Sequence, residues 1–419
     1  MGGWAVVALV FVVYAVVARR LDRLSITAPI ILVAAGTVLG AGYLDVLPAN
    51  VTTESIRLVT ELTLALILFA DASTVQLRQA EGDAWLPFRL LGIGLPLTMG
   101  LGAVAARLVF PSISWSEAAL IAAILAPTDA ALGIAVVTNP VVPLRIRRAL
   151  NIESGLNDGI ATPFVTVFLA MVVAGVAQDR WGVEAVADLA RGVAFGIVIG
   201  YVGGRLARMA RSAGWTTPMS DQLVVLSLAF LSYAAAVTYS GNGFVAAFVA
   251  GLVFGAATRE QLHEATEFTD TVGLFSSFVV WVIFGAAFVG PVLRGGVHLR
   301  PILYAVVSLT IVRMLPVAIA LAGERLKPVT IGFIGWFGPR GLASVVFTLI
   351  AFDALGGDAL ARGLVEITTW TILLSVVAHG VSSGPLAAAY GRVFKNAPAD
   401  TPELATVHPT RVRKRSLQG

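Results

Sequence analysis

The run Glu153-Ser154-Gly155-Leu156-Asn157-Asp158 places four oxygen-bearing side chains within two helical turns. Residues four apart share a helix face. Glu153 therefore stacks with Asn157, and Ser154 with Asp158. A carboxylate beside a hydroxyl offers hard oxygen donors to a small cation. The other face suits a fixed ion pair with an arginine. Upstream, Ala126-Pro127-Thr128-Asp129 sets a further carboxylate into a proline-broken apolar run. Such a break frees backbone carbonyls near Thr128 as additional oxygen ligands. Downstream, Arg313 and the Gly338-Pro339-Arg340-Gly341 break supply two guanidinium groups.

These groups lie at similar depth in long apolar segments. Asp158 stands ten residues beyond Arg148. At 1.5 Å per residue that is about 15 Å, the midplane of a hydrocarbon core roughly 30 Å thick. Asp129, Arg313 and Arg340 each fall near the middle of their own segments, and Glu153 is little more than a turn from Asp158. Charges at that depth are costly and mark pathways or sites. Three carboxylates against two guanidinium groups leave one negative charge in excess. Such a carboxylate is relieved by a proton or by a metal cation, hardly by both at once. The chemistry implied is competition of two cations for one carboxylate, with Asp158 and Ser154 on one helix face and carbonyls near Thr128 as further oxygen ligands.

The elements that must position these residues are membrane helices. The composition is 57% hydrophobic and 13% charged, with a mean hydropathy of +0.86, whereas soluble domains are about 25% charged. There is no cysteine, so disulfides and thiolate metal sites are excluded. Scanning for about 20 mainly apolar residues gives thirteen segments, near 2–18, 26–47, 55–71, 88–109, 115–137, 149–174, 184–207, 220–240, 242–257, 270–290, 302–322, 328–352 and 363–390. The third is short and carries Glu61, a possible pathway residue. Asp71, at its end, reads as a funnel residue. Segments eight and nine are separated only by Ser240-Gly241-Asn242-Gly243.

Segments five and twelve are both interrupted at mid-length, and they lie seven spans apart, so they cross in opposite directions. Matched interrupted helices in two inverted halves point to a transporter's binding site. The expected architecture is all-α and polytopic. It has two inverted six-helix repeats, about 1–176 and 220–390, within a transmembrane domain 1–391, and two discontinuous helices that cross.

Most of the 29 basic residues fall in loops on one side if the N-terminus is outside and the C-terminus cytoplasmic, as the positive-inside rule requires. The sequence pI of about 9.6 is thus an orientation signal and calls for no nucleic-acid partner. Arg19, Arg20 and Arg23 follow the first apolar segment, the reverse of a signal peptide. Residues 392–419, ending in Arg411, Arg413, Lys414 and Arg415, read as a short disordered cytoplasmic tail near anionic lipid.

Thr128-Asp129 in a broken helix, then Glu-Ser-Gly-Leu-Asn-Asp, then Gly-Pro-Arg-Gly, resembles the monovalent cation/proton antiporters. The similarity is to the NhaP-type prokaryotic branch and the animal sodium/proton exchangers, from about segment three to segment thirteen. The resemblance implies that Asp158 binds cation or proton alternately. Ser154 and the Thr128 carbonyl would complete the cation shell, and Asp129 would hold water beside it. It also implies that Glu153 and Asn157 are structural, that Arg313 is their partner, and that Arg340 belongs to the second broken helix. Asn157, where a related branch has an aspartate, implies electroneutral exchange. A homodimer in the cell membrane is implied as well, with alternating access by a core of segments five, six, eleven and twelve. Three positions depart from the family pattern. Pro339 stands where leucine is usual, Ala130 follows Thr-Asp where proline is usual, and Ala70-Asp71 replaces an acidic-glycine pair.

Rival readings are a potassium/proton exchanger, a cation channel or uniporter, and a membrane-embedded enzyme. An enzyme would need a His/Glu metal cluster, a Ser/His pair or an Asp-rich diphosphate site, and the pattern shows none. His263, His298, His379 and His408 have no ligand spacing. No cofactor or nucleotide is called for; the ion gradients would drive transport.

Overall fold

In a computed structural model the described residues are 2–23, 26–40, 43–47, 54–74, 85–129, 132–174, 181–258, 263–398 and 401–404. They are helical throughout, with no strand among them. Every one of the thirteen apolar segments corresponds to a helix or a pair of helices. They are α1 (Gly2–Arg23), α2 (Ala28–Leu39), α3 (Glu54–Thr74), α4 (Trp85–Val109), α5 (Trp115–Leu125 and Ile134–Val137), α6 (Leu144–Ala174), α7 (Trp181–Ser212), α8 (Pro218–Thr238), α9 (Gly243–Thr258), α10 (Ala265–Arg294), α11 (Leu299–Ala320), α12 (Pro328–Trp336 and Leu342–Ala354) and α13 (Ala359–Phe394). Eight are long and apolar enough to cross a membrane by length and composition. The chain is a multi-pass membrane protein.

Capping chemistry explains the boundaries. Ser114 begins α5 with a reciprocal box: its hydroxyl accepts from Glu117 N at 3.2 Å, and Glu117 Oε2 accepts from Ser114 N at 2.8 Å. Thr217 and Ser220 do the same for α8. Asn242 separates α8 from α9, its side-chain oxygen accepting from Val245 N at 3.0 Å. Several helices run past the ends of their apolar segments, and segments two and three show why lengths differ. The helix in segment two stops at Leu39, at the glycines of Gly40-Ala41-Gly42. Segment three is longer than expected, a helix of 21 residues. Its charges obscured it in an apolar scan.

Two breaks shape the site. Pro127 lacks an N–H and cannot carry the helical hydrogen-bond ladder forward; the first part of α5 ends at Leu125, with Ala126 still at helical angles. Pro339 acts likewise in α12, which leaves the helix after Trp336 and re-enters at Leu342.

The chain divides into two compact units. The first holds Met1–Arg57, Glu81–Asn157 and Phe278–Gly419; the second holds Leu58–Ala80 and Asp158–Ser277. In the first, α2 packs closely on the end of α10. A Cβ on Gly36 would stand 2.1 Å from the Val282 carbonyl oxygen, and one on Gly285 would stand 2.2 Å from that of Val33. In the second, α7 packs on α9 through Gly192, Gly196, Gly200 and Gly204, one glycine per turn, the close backbone approach that holds membrane helices together.

The polar tail does not begin after α13 as expected. Thr401 and Glu403 are buried, and Pro402–Leu404 form a turn of 3₁₀ helix. Segment 405–419 lies outside the described residues.

Candidate functional site

The break in α5 leaves backbone carbonyls that no helix turn can satisfy. The first unit meets them with side chains from other helices. Ser344 Oγ donates to the Ile124 carbonyl at 2.7 Å, and Arg340 donates to that of Ala126 at 2.8 Å. At Thr128 the carbonyl accepts from Ser154 Oγ at 2.7 Å and from Asn157 Nδ2 at 3.3 Å. The same Asn157 nitrogen lies 2.6 Å from Thr128 Oγ1. All three of these side chains are buried.

The break in α12 is held in complementary fashion. Leu342 N, at the start of its second half, donates to Asp129 Oδ2 at 3.2 Å. Asp129 N donates to the Pro339 carbonyl at 2.8 Å, tying one break to the other. Arg340 N donates to Ser375 Oγ on α13 at 2.6 Å. The electrostatics match the helix dipoles. A guanidinium faces the carbonyl end of α5, and a carboxylate faces the amide end of α12's second half.

Glycine is required where these groups meet. A Cβ on Gly341 would stand 2.1 Å from Asp129 Cβ, and one on Gly338 would stand 2.3 Å from Arg313 Nε. The Gly-Pro-Arg-Gly run therefore admits Arg313 on one side and Asp129 on the other.

Arg313 reaches α6. Its two terminal nitrogens donate to Glu153 Oε1 at 2.6 Å and Oε2 at 3.0 Å. Both residues are almost wholly buried, at 2% and 3% exposure. A two-point pair of this kind fixes orientation as well as neutralising charge.

The first unit thus brings together Thr128, Asp129, Glu153, Ser154, Asn157, Arg313 and Arg340. A small recess there is lined by Thr128, Asp129, Ser154, Leu150, Phe337 and Pro339. Asp158 is half-buried and opens the second unit. α6 continues unbroken through it, with Asp158 one turn beyond Ser154. Its own carbonyl accepts from Thr162 Oγ1 at 2.8 Å. Glu61 and Asp71 also belong to the second unit. Glu61 Oε2 accepts from Tyr233 OH at 2.5 Å, and Asp71, half-buried, accepts at its carbonyl from Thr74. No group of three or more His, Cys, Asp or Glu able to hold a metal occurs among the described residues.

The structure adds two details to the sequence reading. The Thr128 carbonyl is not free, because two donors occupy it. Asp129 does more than lie beside a cation shell: it caps a helix. Sequence reasoning did not single out Ser344 and Ser375, whose hydroxyls bond the two breaks; a serine in an apolar helix carries no signal of its partner. His379 is buried on α13, with Nδ1 2.8 Å from the Ser375 carbonyl.

Comparison with known proteins gives a consistent picture. A family model described as "Sodium/hydrogen exchanger, transmembrane" matches residues 7–389. The chain is 25% identical over 326 residues to the K+/H+ antiporter NhaP2 of Shewanella sp. (strain ANA-3), covering 78% of this chain and 56% of that protein. It is 25% identical over 319 residues to a Na+/H+ antiporter of Schizosaccharomyces pombe, covering 65% of each. The fold is similar to that of the sodium proton antiporter MjNhaP1 from Methanocaldococcus jannaschii at pH 8, with a TM-score of 0.76 and 20% identity over 93% of this chain and 98% of that one. The chain spans a little over half the length of the Shewanella relative.

Proposed function

We infer the function from one premise: this chain belongs to the sodium/hydrogen exchanger family. That family is one of transporters. Within it, the chain is a secondary antiporter that exchanges a monovalent cation, Na+ or Li+, for H+. Asp158 is the residue that binds either ion. Ser154, one turn back on α6, and Thr128 at the α5 break supply further oxygen ligands, with Asp129 beside them. Glu153, Asn157, Arg313 and Arg340 hold the two breaks in place.

The observation that carries this reading is the hydrogen-bonded joining of the α5 and α12 breaks. Unsatisfied backbone at membrane depth survives only where protein or a cavity meets it. Here the bonds described above come from side chains or from the opposite break, and a small recess is lined by Thr128, Asp129 and Ser154 together with apolar residues.

Asn157 favours one proton per cation, since it is a neutral amide that donates to Thr128. The chain acts as a homodimer in the cell membrane, N-terminus outside and C-terminus cytoplasmic. It works by alternating access between two inverted repeats. A second reading, K+/H+ exchange, draws on two relatives, the K+/H+ antiporter NhaP2 of Shewanella sp. (strain ANA-3) and the K+/H+ antiporter NhaP of Alkalimonas amylolytica, 27% identical over 305 residues.

The test is proton efflux from acid-loaded proteoliposomes after adding Na+, Li+ or K+, with wild type and Asp158→Asn side by side. Efflux with Na+ or Li+, unchanged by a voltage clamp and absent in the variant, supports the electroneutral reading. Efflux with K+ alone selects the second reading. Equal activity in the variant removes Asp158 from its role.

A further inference from the structure

The first half of α12 begins at Pro328 without a cap of its own. The preceding residue, Lys327, has extended backbone and makes no side-chain capping bond. Lysine has no acceptor to offer, and its ammonium lies over the Phe394 ring, 5.0 Å from the centroid. The cap comes instead from 76 residues downstream. Glu403 Oε1 accepts from Lys327 N at 2.8 Å and from Thr330 Oγ1 at 2.7 Å. Tyr390 on α13 donates to the same Thr330 hydroxyl at 3.0 Å. Glu403 is wholly buried, at 0% exposure.

Its neighbours are tied as firmly. Arg145, near the start of α6, donates to the Pro402 carbonyl at 2.9 Å. Leu404 packs against a cluster that contains Ile146 and Leu150 of α6, Ile334 of α12, and Tyr390 and Phe394 of α13. Three consecutive residues after the last span thus bind the same ends of α6, α12 and α13. Both bonds fall on Oε1, while Oε2 is buried without a hydrogen-bond partner; a carboxylate buried at that cost is held in place by the contacts around it.

We propose that Glu403 is a positioning residue for ion exchange, resting on the antiporter reading above. It fixes where the first half of α12 begins. A nine-residue helix is a rod of roughly 14 Å, so that end sets the place of the Gly338–Gly341 break at the other. Gly338 meets Arg313 there, and Gly341 meets Asp129, each with no room for a methyl group. A small displacement of the rod therefore reaches the groups that hold Thr128 and Ser154.

The experiment compares wild type, Glu403→Gln and Glu403→Ala in two measurements. Hydrogen exchange of a peptide covering 326–333 reads the cap without requiring transport. Cation dependence in proteoliposomes reads the positioning. Glu403→Gln keeps an acceptor oxygen and is expected to match wild type in both. Glu403→Ala is expected to speed exchange in that peptide and to raise the apparent KM by roughly fivefold, the size that loss of one helix cap carries. Its maximal rate per folded protein is expected to stay near wild type. Unchanged protection in Glu403→Ala overturns the cap. Equal KM in all three proteins, or a loss that only follows the amount of folded protein, overturns the positioning role. Wild type that exchanges no cation sinks the antiporter reading instead, and the hydrogen-exchange result then still judges the cap.

Discussion

Arg313 closes on Glu153 through two parallel bonds, at 2.6 and 3.0 Å, with both side chains almost completely buried. Glu153 precedes Ser154 on α6, so the pair ties α11 to α6 next to the Ser154–Thr128 bond.

Removing one partner exposes what the pair does. Arg313→Ala leaves Glu153 charged and buried, and breaking such a pair costs about 3–5 kcal/mol. We expect a large drop in the thermal midpoint of the purified protein. The double variant Glu153→Gln, Arg313→Met removes both charges and should recover part of that loss. A single variant as stable as wild type would show that the pair contributes little.

The glycines of the second break give a sharper contrast. Gly341→Ala sets a methyl group against Asp129, and Gly338→Ala sets one against Arg313. Both are expected to abolish transport. Gly332→Ala, earlier in the same helix, meets nothing within 4 Å and should transport normally. Comparable activity in all three would mean that the break relaxes freely.

Ser154→Ala removes the shorter of the two bonds to the Thr128 carbonyl and one candidate cation oxygen. A hydrogen bond contributes roughly 0.5–1.5 kcal/mol, so the apparent KM for the cation should rise about two- to tenfold with little change in stability. Ser154→Thr keeps the hydroxyl and should fall between. An unaltered KM in Ser154→Ala would take this hydroxyl out of the site.

Much of the chain was legible because membrane helices obey strong local constraints. A spanning segment must satisfy its own backbone and present apolar side chains, so thirteen segments could be read from hydropathy and each proved helical. The breaks were legible for the same reason: Pro127 and Pro339 cannot continue a helix. Spacing along α6 was also informative. Glu153 takes Arg313 as the resemblance implied, but Asn157, expected to share that arginine, bonds Thr128 instead.

Partner choice across the fold was not legible. Asp129 reads as a carboxylate near an ion, yet its bonds are those of a helix cap. Arg340 reads as a counter-charge, yet it serves a carbonyl. Such choices depend on which free donor and which free acceptor come within 3 Å of each other, and no pattern along one helix encodes that.

By itself, the order of residues determined an all-helical membrane chain with two proline-broken helices and carboxylates at mid-depth, because these follow from periodicity, length and backbone chemistry. The tertiary structure alone decided how the broken ends are satisfied and that Glu403 returns to cap α12. A helix end leaves its amides and carbonyls open to any partner that packing brings near, and packing joins residues 76 positions apart as readily as neighbours.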